Sequence, residues 1–140
     1  MVEGQSEAGD VLGRLHDAMN RHDLEALVQC FREDFVSEQP AHPARNFRGR
    51  EQVRRNWTQI LGGTRDLKAT LVRSAVQGDV VWAEWSWQGT RPDGSPADMA
   101  GVTINGVADG QIAWTHFFME PVERQGVDID AAVRRQAGAQ

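Results

Sequence analysis

The feature that most constrains this chain is a change of hydrophobic period part-way along it. Up to Gly62-Gly63 the apolar residues recur at helical spacing, and beyond that point they fall into long extended runs. Residues 10–21 carry Val11, Leu12, Leu15, Ala18 and Met19 on one stripe, the spacing of an amphipathic helix. Asp23 is placed to cap a second helix in which Leu24, Leu27, Val28 and Phe31 share a face. Residues 35–39 read as a short strand, followed by a loop marked by Pro40, Pro43 and Asn46. A third helix is predicted over residues 50–61, with Val53, Trp57, Ile60 and Leu61 on its apolar side and two glycines to stop it. Residues 67–77, 80–91, 99–108 and 111–122 are then four extended runs. Gly78-Asp79, Pro92-Asp93-Gly94 and Asp109-Gly110 separate them, each with the chemistry of a hairpin turn. Helices first and a meander of strands afterwards predicts an α+β fold with segregated elements.

A chain of 140 residues suits one domain and buries a core without disulfide or metal staples. The expected boundaries are a flexible N-terminus at 1–9, the domain at 10–122 and a polar tail at 123–140, in which 130–137 has the pattern of a final helical turn or two. The net charge of −5, with no block of Lys or Arg, argues against nucleic acid as a partner, because that needs a basic patch to displace counterions. No apolar run approaches the ~20 residues that span a bilayer, and the start, MVEGQSEAGD, is too acidic and polar for a secretory signal. A lone cysteine, Cys30, cannot form an internal disulfide and fits a reducing cytoplasm. Four His and one Cys without HxH, HExxH or CxxC spacing give no reason to expect a metal. Gly62-Gly63 reads as a helix stop, not a phosphate cradle, so no cofactor is expected. With no tyrosine in the chain, a catalytic phenol is excluded.

Several local patterns, in order and at these distances, carry a resemblance. Met19-Asn20-Arg21-His22-Asp23-Leu24 is similar to the N-x-x-D-L joint between the first two helices of the nuclear transport factor 2-like superfamily. Phe31-Arg32-Glu33-Asp34-Phe35-Val36 resembles its F-x-x-D lead into the first strand. Phe47-Arg48-Gly49-Arg50-Glu51-Gln52-Val53 resembles its F-x-G-R-x-x-I lead into the third helix. Gly89-Thr90, Asp93-Gly94 and Asp109-Gly110-Gln111-Ile112 resemble the strand spacing of its SnoaL-like, polyketide cyclase-like branch. The resemblance covers roughly residues 10–122 and implies a cone, with three helices closing the concave side of a curved antiparallel sheet around a pocket. It also implies a homodimer through the convex face.

Side chains alternate between the faces of a strand, so a register sorts them. Taken from the limonene-epoxide hydrolases, which share the fold, that register turns Ser37, Gln39, Trp82, Glu84, Ser86, Gln88, Met99, Gly101, Thr103, Ala113, Thr115, Phe117 and Met119 inward. Trp85, Trp87, Val102, Ile104, Trp114, His116, Phe118 and Glu120 then face outward. The same comparison implies the loss of familiar chemistry. The Asp–Arg–Asp relay of those hydrolases falls on Ser86, Glu84 and Phe117, and their Tyr and Asn positions on Ser37 and Gln39. The base and oxyanion donors of ketosteroid isomerases fall on Gln39, Leu15 and Thr103. The acid/base Asp of SnoaL-like cyclases falls near Phe117.

Glu84 is the leading catalytic candidate, because a carboxylate walled by Trp is pushed towards a neutral-range pKa by desolvation. The alternative is that it pairs with Arg54 or Arg55 and holds structure. His42, beside Pro43, is a second candidate at the expected pocket mouth. His116 is a third, meeting Glu84 as a dyad if the last strand's register turns it inward, and otherwise an interface or core histidine. His16 reads as a surface residue or one that looks into the pocket. Ser37, Gln39, Trp57, Trp82, Ser86, Met99, Thr103, Thr115, Phe117 and Met119 are the candidate substrate-binding residues, suited to an apolar, ring-containing ligand. Two functions compete. One is a cofactor-free cyclase, isomerase or dehydratase acting on an apolar carbonyl compound of polyketide type. The other is a non-catalytic protein that binds a small molecule or a partner.

Overall fold

A computed structural model describes residues 6–138. Helix α1 (Glu7–Arg21) starts three residues before the expected boundary, because the Ser6 side chain accepts a hydrogen bond from the Gly9 amide and caps it. Residues 7–9 are therefore helical rather than a flexible leader, and the expectation for residues 1–5 lies outside the described residues. Val11, Leu12, Leu15, Ala18 and Met19 are all buried, as the stripe required. Each large side chain among them contributes about 1.5–3 kcal/mol of burial. Asp23 caps α2 (Leu24–Gln29) by accepting from the Ala26 amide. Phe31 does not continue that helix but begins β1 (Phe31–Glu38), which is longer than the predicted strand. A 3-10 turn (Pro43–Arg45) and a two-residue strand, β2 (Phe47–Arg48), lead to α3 (Arg50–Gly63).

The four extended runs become β3 (Lys68–Gln77), β4 (Val80–Gln88), β5 (Met99–Ala108) and β6 (Gln111–Pro121). They form one six-stranded sheet in the order β2-β1-β6-β5-β4-β3. All pairs are antiparallel except β1 with β6, which run parallel. The tail carries α4 (Ile129–Gln136), capped by Asp128, whose side chain accepts from the Ala131 amide. No described helix is long and apolar enough to cross a membrane.

Helices α1, α2 and α3 lie on one face of this curved sheet, and the joint between α1 and α2 fastens them there. Asn20 donates to the Ala69 carbonyl at 2.9 Å and accepts from the Ala69 amide at 2.7 Å, so its side chain acts as a short extra strand along β3. His22 takes the left-handed conformation that ends α1 (φ 55°), and its Nε2 lies 2.8 Å from the Leu67 carbonyl. His16 is accounted for in the same way. It reaches the Ala69 carbonyl at 2.9 Å and sits edge-on to Trp85, so it is a half-buried strut and not a pocket group. Near the end of β4, Asp66 accepts from both the amide and the hydroxyl of Thr90, and these bonds hold its carboxyl below the usual range.

Candidate functional site

Strand pairing sets which side chains reach the concave face. On β4 the buried positions are Val81, Ala83, Trp85 and Trp87. They pair in turn with Asn105, Thr103, Gly101 and Met99 on β5. Thr103 and Gly101 pair with Phe117 and Met119 on β6, and Thr115 pairs with Ser37 on β1. The inward set on β5 and β6 is as the sequence suggested, with one exception. A bulge at Gly106/Val107 puts Ile112 into the core in place of Ala113.

On β4 the expected register is reversed. Trp82, Glu84, Ser86 and Gln88 face the convex side, and Trp85 and Trp87 face the cavity. The reason is plain in the residues: the odd positions are uniformly apolar and the even ones, from Glu84 onward, are polar, so hydrophobic burial overrides the borrowed alignment. Glu84 is bonded to Arg73 at 2.8 Å on that outer face, with both side chains substantially exposed. Its partner is neither Arg54 nor Arg55. Arg54 is held by Glu25 and Glu51, and Arg55 donates to Gln52. Trp82 is 44% exposed. Glu84, Trp82 and Ser86 are thus removed from the cavity.

The cavity lies between sheet and helices and has a volume of about 420 Å³. Of the candidate binding residues, Ser37, Gln39, Trp57, Met99, Thr103, Thr115 and Phe117 line it. Met119 is buried in the core beside it and does not reach its wall. Trp85, Trp87 and Asn105, which the borrowed register hid or passed over, line it as well, and α3 adds Asn56, Gln59 and Ile60. The rings of Trp57 and Trp85 each meet Trp87 edge-on, at centroid distances of 5.4 and 6.3 Å, and Phe117 tilts against Trp87 at 6.3 Å. These geometries are the favoured ones for aromatic pairs and make one wall a fixed aromatic corner.

The adjoining floor is polar and uncharged. Trp85 Nε1 donates to Thr103 Oγ1 at 3.0 Å, and Asn105 Nδ2 donates to the same oxygen at 3.1 Å. Asn105 Nδ2 also donates to the Val81 carbonyl at 3.2 Å, while Asn105 Oδ1 accepts from the Thr115 hydroxyl at 2.9 Å. No Asp, Glu, His, Lys, Arg or Cys lines the cavity among the described residues. Cys30 is buried in the core, and burial pushes its thiol up, away from a reactive thiolate.

The two histidine candidates are paired with carboxylates outside the cavity. His42 Nε2 lies 3.0 Å from Glu120 Oε2, and the His42 amide donates to the carbonyl of Gln39, a pocket-lining residue. His116 faces the convex side, 3.7 Å from Glu38 and against Trp114. It therefore forms no dyad with Glu84. No group of three or more His, Cys, Asp or Glu is arranged to hold a metal among the described residues.

A helix-capped, curved sheet closed around one apolar pocket defines the nuclear transport factor 2-like class. The family model of the SnoaL-like domain matches residues 12–115, and the chain belongs to that family. Among solved structures, a loop-truncation variant of IdmH is 25% identical, covering 81% of this chain and 92% of its own, with a TM-score of 0.67. A candidate isomerase from Bacillus subtilis is 18% identical over 96% of this chain and 94% of its own, with a TM-score of 0.72. Rv0760c from Mycobacterium tuberculosis, solved with estradiol-17β-hemisuccinate, is 19% identical over 80% of this chain and 92% of its own, with a TM-score of 0.69. A search of curated proteins gives no match.

Proposed function

We propose that this chain binds an apolar, ring-containing small molecule inside the cone and holds it through uncharged hydrogen-bonding groups. One observation carries the reading: a cavity of about 420 Å³ has an aromatic corner, a neutral polar floor and no ionisable side chain on its wall among the described residues. Largely apolar pockets of this size with a few convergent polar groups are ligand sites. General acid–base catalysis needs a titrating group within hydrogen-bond reach of the reacting atom, and the described residues of this wall offer none. The steroid ester held by the similarly folded Rv0760c supports a ligand of fused rings. Calorimetric titration with steroids and tricyclic aromatics tests the reading. Micromolar binding at one site, with quenching of tryptophan fluorescence and no effect of a chelator, is expected. A panel of such compounds that leaves the protein unbound would refute it.

A second reading, a cofactor-free acid/base enzyme acting on an apolar carbonyl compound, is favoured by one feature. The His42–Glu120 pair is tied to the pocket through the His42 amide, which donates to the carbonyl of the lining residue Gln39 at 2.8 Å. On that reading His42→Gln abolishes turnover and spares ligand affinity. Retained turnover sinks it. We propose in addition that the chain is a homodimer through its convex face, where Trp82 and Phe118 are 44% and 41% exposed beside Val102 and Ile104. An apolar patch of this kind marks an interface.

A further inference from the structure

The floor network has a direction. A hydroxyl oxygen accepts two hydrogen bonds and donates one, whereas an indole N–H and an amide NH₂ only donate. Thr103 Oγ1 receives Trp85 Nε1 at 3.0 Å and Asn105 Nδ2 at 3.1 Å, which uses both of its lone pairs. The orientation of the Asn105 amide is not free. Its nitrogen faces the Val81 carbonyl and its oxygen receives the Thr115 hydroxyl, and a flip would set two acceptor oxygens against each other at Val81. The proton of Thr103 is left over. No hydrogen bond from it to a protein acceptor is present among the described residues, and Thr103 is a lining residue of the cavity. A buried hydroxyl with a spare proton is costly to leave unpaired.

We infer that Thr103 is a polarised donor aimed into the cavity, and that the ligand carries a proton-free acceptor oxygen, such as a ketone carbonyl, against it. This rests on the apolar-ligand reading and adds a specificity to it. Asn105 and Trp85 act on this contact through Thr103: their N–H groups occupy the Thr103 lone pairs and so forbid the hydroxyl from acting as an acceptor. The pocket therefore discriminates by hydrogen-bond polarity at one point of an otherwise apolar surface, disfavouring an analogue that has only a hydrocarbon there.

The test uses a near-isosteric pair, fluorenone and fluorene, titrated into the full chain by calorimetry. It is combined with an isotope-edited infrared spectrum of the bound fluorenone carbonyl. In the wild type the carbonyl band should lie below its position in hydrocarbon solvent. Thr103→Val should weaken fluorenone about five- to tenfold, leave fluorene within about twofold, and return the band to its hydrocarbon position. Thr103→Ser should keep the wild-type order and band. Equal weakening of both probes by Thr103→Val would make Thr103 merely structural and overturn the inference. So would a fluorenone that binds the wild type with an unshifted band, a result that leaves the apolar-pocket reading standing. If neither probe binds the wild type, that reading falls and the inference with it. Should Thr103→Val fail to fold, the wild-type band and the Thr103→Ser titration decide.

Discussion

Replacing Asn105 by Ala tests the polar floor as a structural element. Asn105 is only 3% exposed, and its side chain makes three hydrogen bonds: to the Val81 carbonyl, to Thr103 Oγ1 and from the Thr115 hydroxyl. At about 1 kcal/mol net for each, their loss amounts to about 3 kcal/mol. The site borders the cavity, so water entering it can re-pair some of the abandoned groups, which lowers the expected cost to about 2–3 kcal/mol. A chain of this length unfolds with an entropy of about 0.3 kcal/mol/K, so the melting temperature should fall by roughly 7–10 °C. Scanning calorimetry reads the shift, and urea unfolding with an unchanged m value confirms that stability moved and not the compactness of either state. A fall under about 2 °C, the scale of a surface substitution, would refute the network as a stabilising unit. Asn105→Asp sharpens the test. A carboxylate facing a backbone carbonyl at this buried position has its pKa raised by burial, so the folded state holds its proton more tightly than the unfolded chain does. The stability of that variant relative to the wild type is then best below the unfolded Asp value of about 3.9. It is lost as pH rises from there through the raised folded pKa. A deficit that does not change with pH would contradict this.

Glu84→Gln should leave ligand affinity within about twofold and stability within ~0.5 kcal/mol, because its pair with Arg73 is exposed and on the far side of the sheet. A tenfold loss of binding in the same titration would return Glu84 to the site. Affinity for an uncharged ligand should be flat across roughly pH 5.5–8.5, the range in which a histidine would titrate, since no ionisable group lines the cavity among the described residues. A bell-shaped or sigmoidal profile would instead implicate the His42–Glu120 pair. Light scattering coupled to size exclusion should show a dimer that Val102→Asp splits, Val102 lying on the convex face opposite Glu84 in the β4–β5 pair. A wild-type monomer at micromolar concentration would refute it.

The elements were legible because each carries its own local signal. The stripe on α1, the Asp23 cap and the Asp-Gly turn between β5 and β6 all act within a few residues. The two-residue β2 was not legible, because Phe47-Arg48 is ordered by tertiary contacts, pairing with Val36 and Ser37 and packing Phe47 against Phe35. The site was legible on β5 and β6, where Thr103, Thr115 and Phe117 sit as expected. On β4 the failure is instructive. Val81, Ala83, Trp85 and Trp87 alternate with Glu84, Ser86 and Gln88, and that pattern alone turns the two tryptophans inward. Aligning the strand on relatives with inward catalytic residues overrode a physical signal that was already present. Asn105 was missed for a different reason. Nothing in a lone Asn within an apolar strand says that its three hydrogen-bond partners stand on β4, on its own strand and on β6.

The parallel pairing of β1 with β6 sets a timetable. Ser37 and Thr115 meet only after most of the chain lies between them, and closing so long a loop costs entropy before the contact returns any stability. During synthesis the helices and the β3–β4 and β4–β5 hairpins can settle as they emerge. The chamber itself cannot close until the last strand arrives and seats against the first. The protein should accordingly fold slowly for its size, and a chain cut short before β6 should expose the tryptophan corner to solvent, which makes it sticky and a target for chaperones.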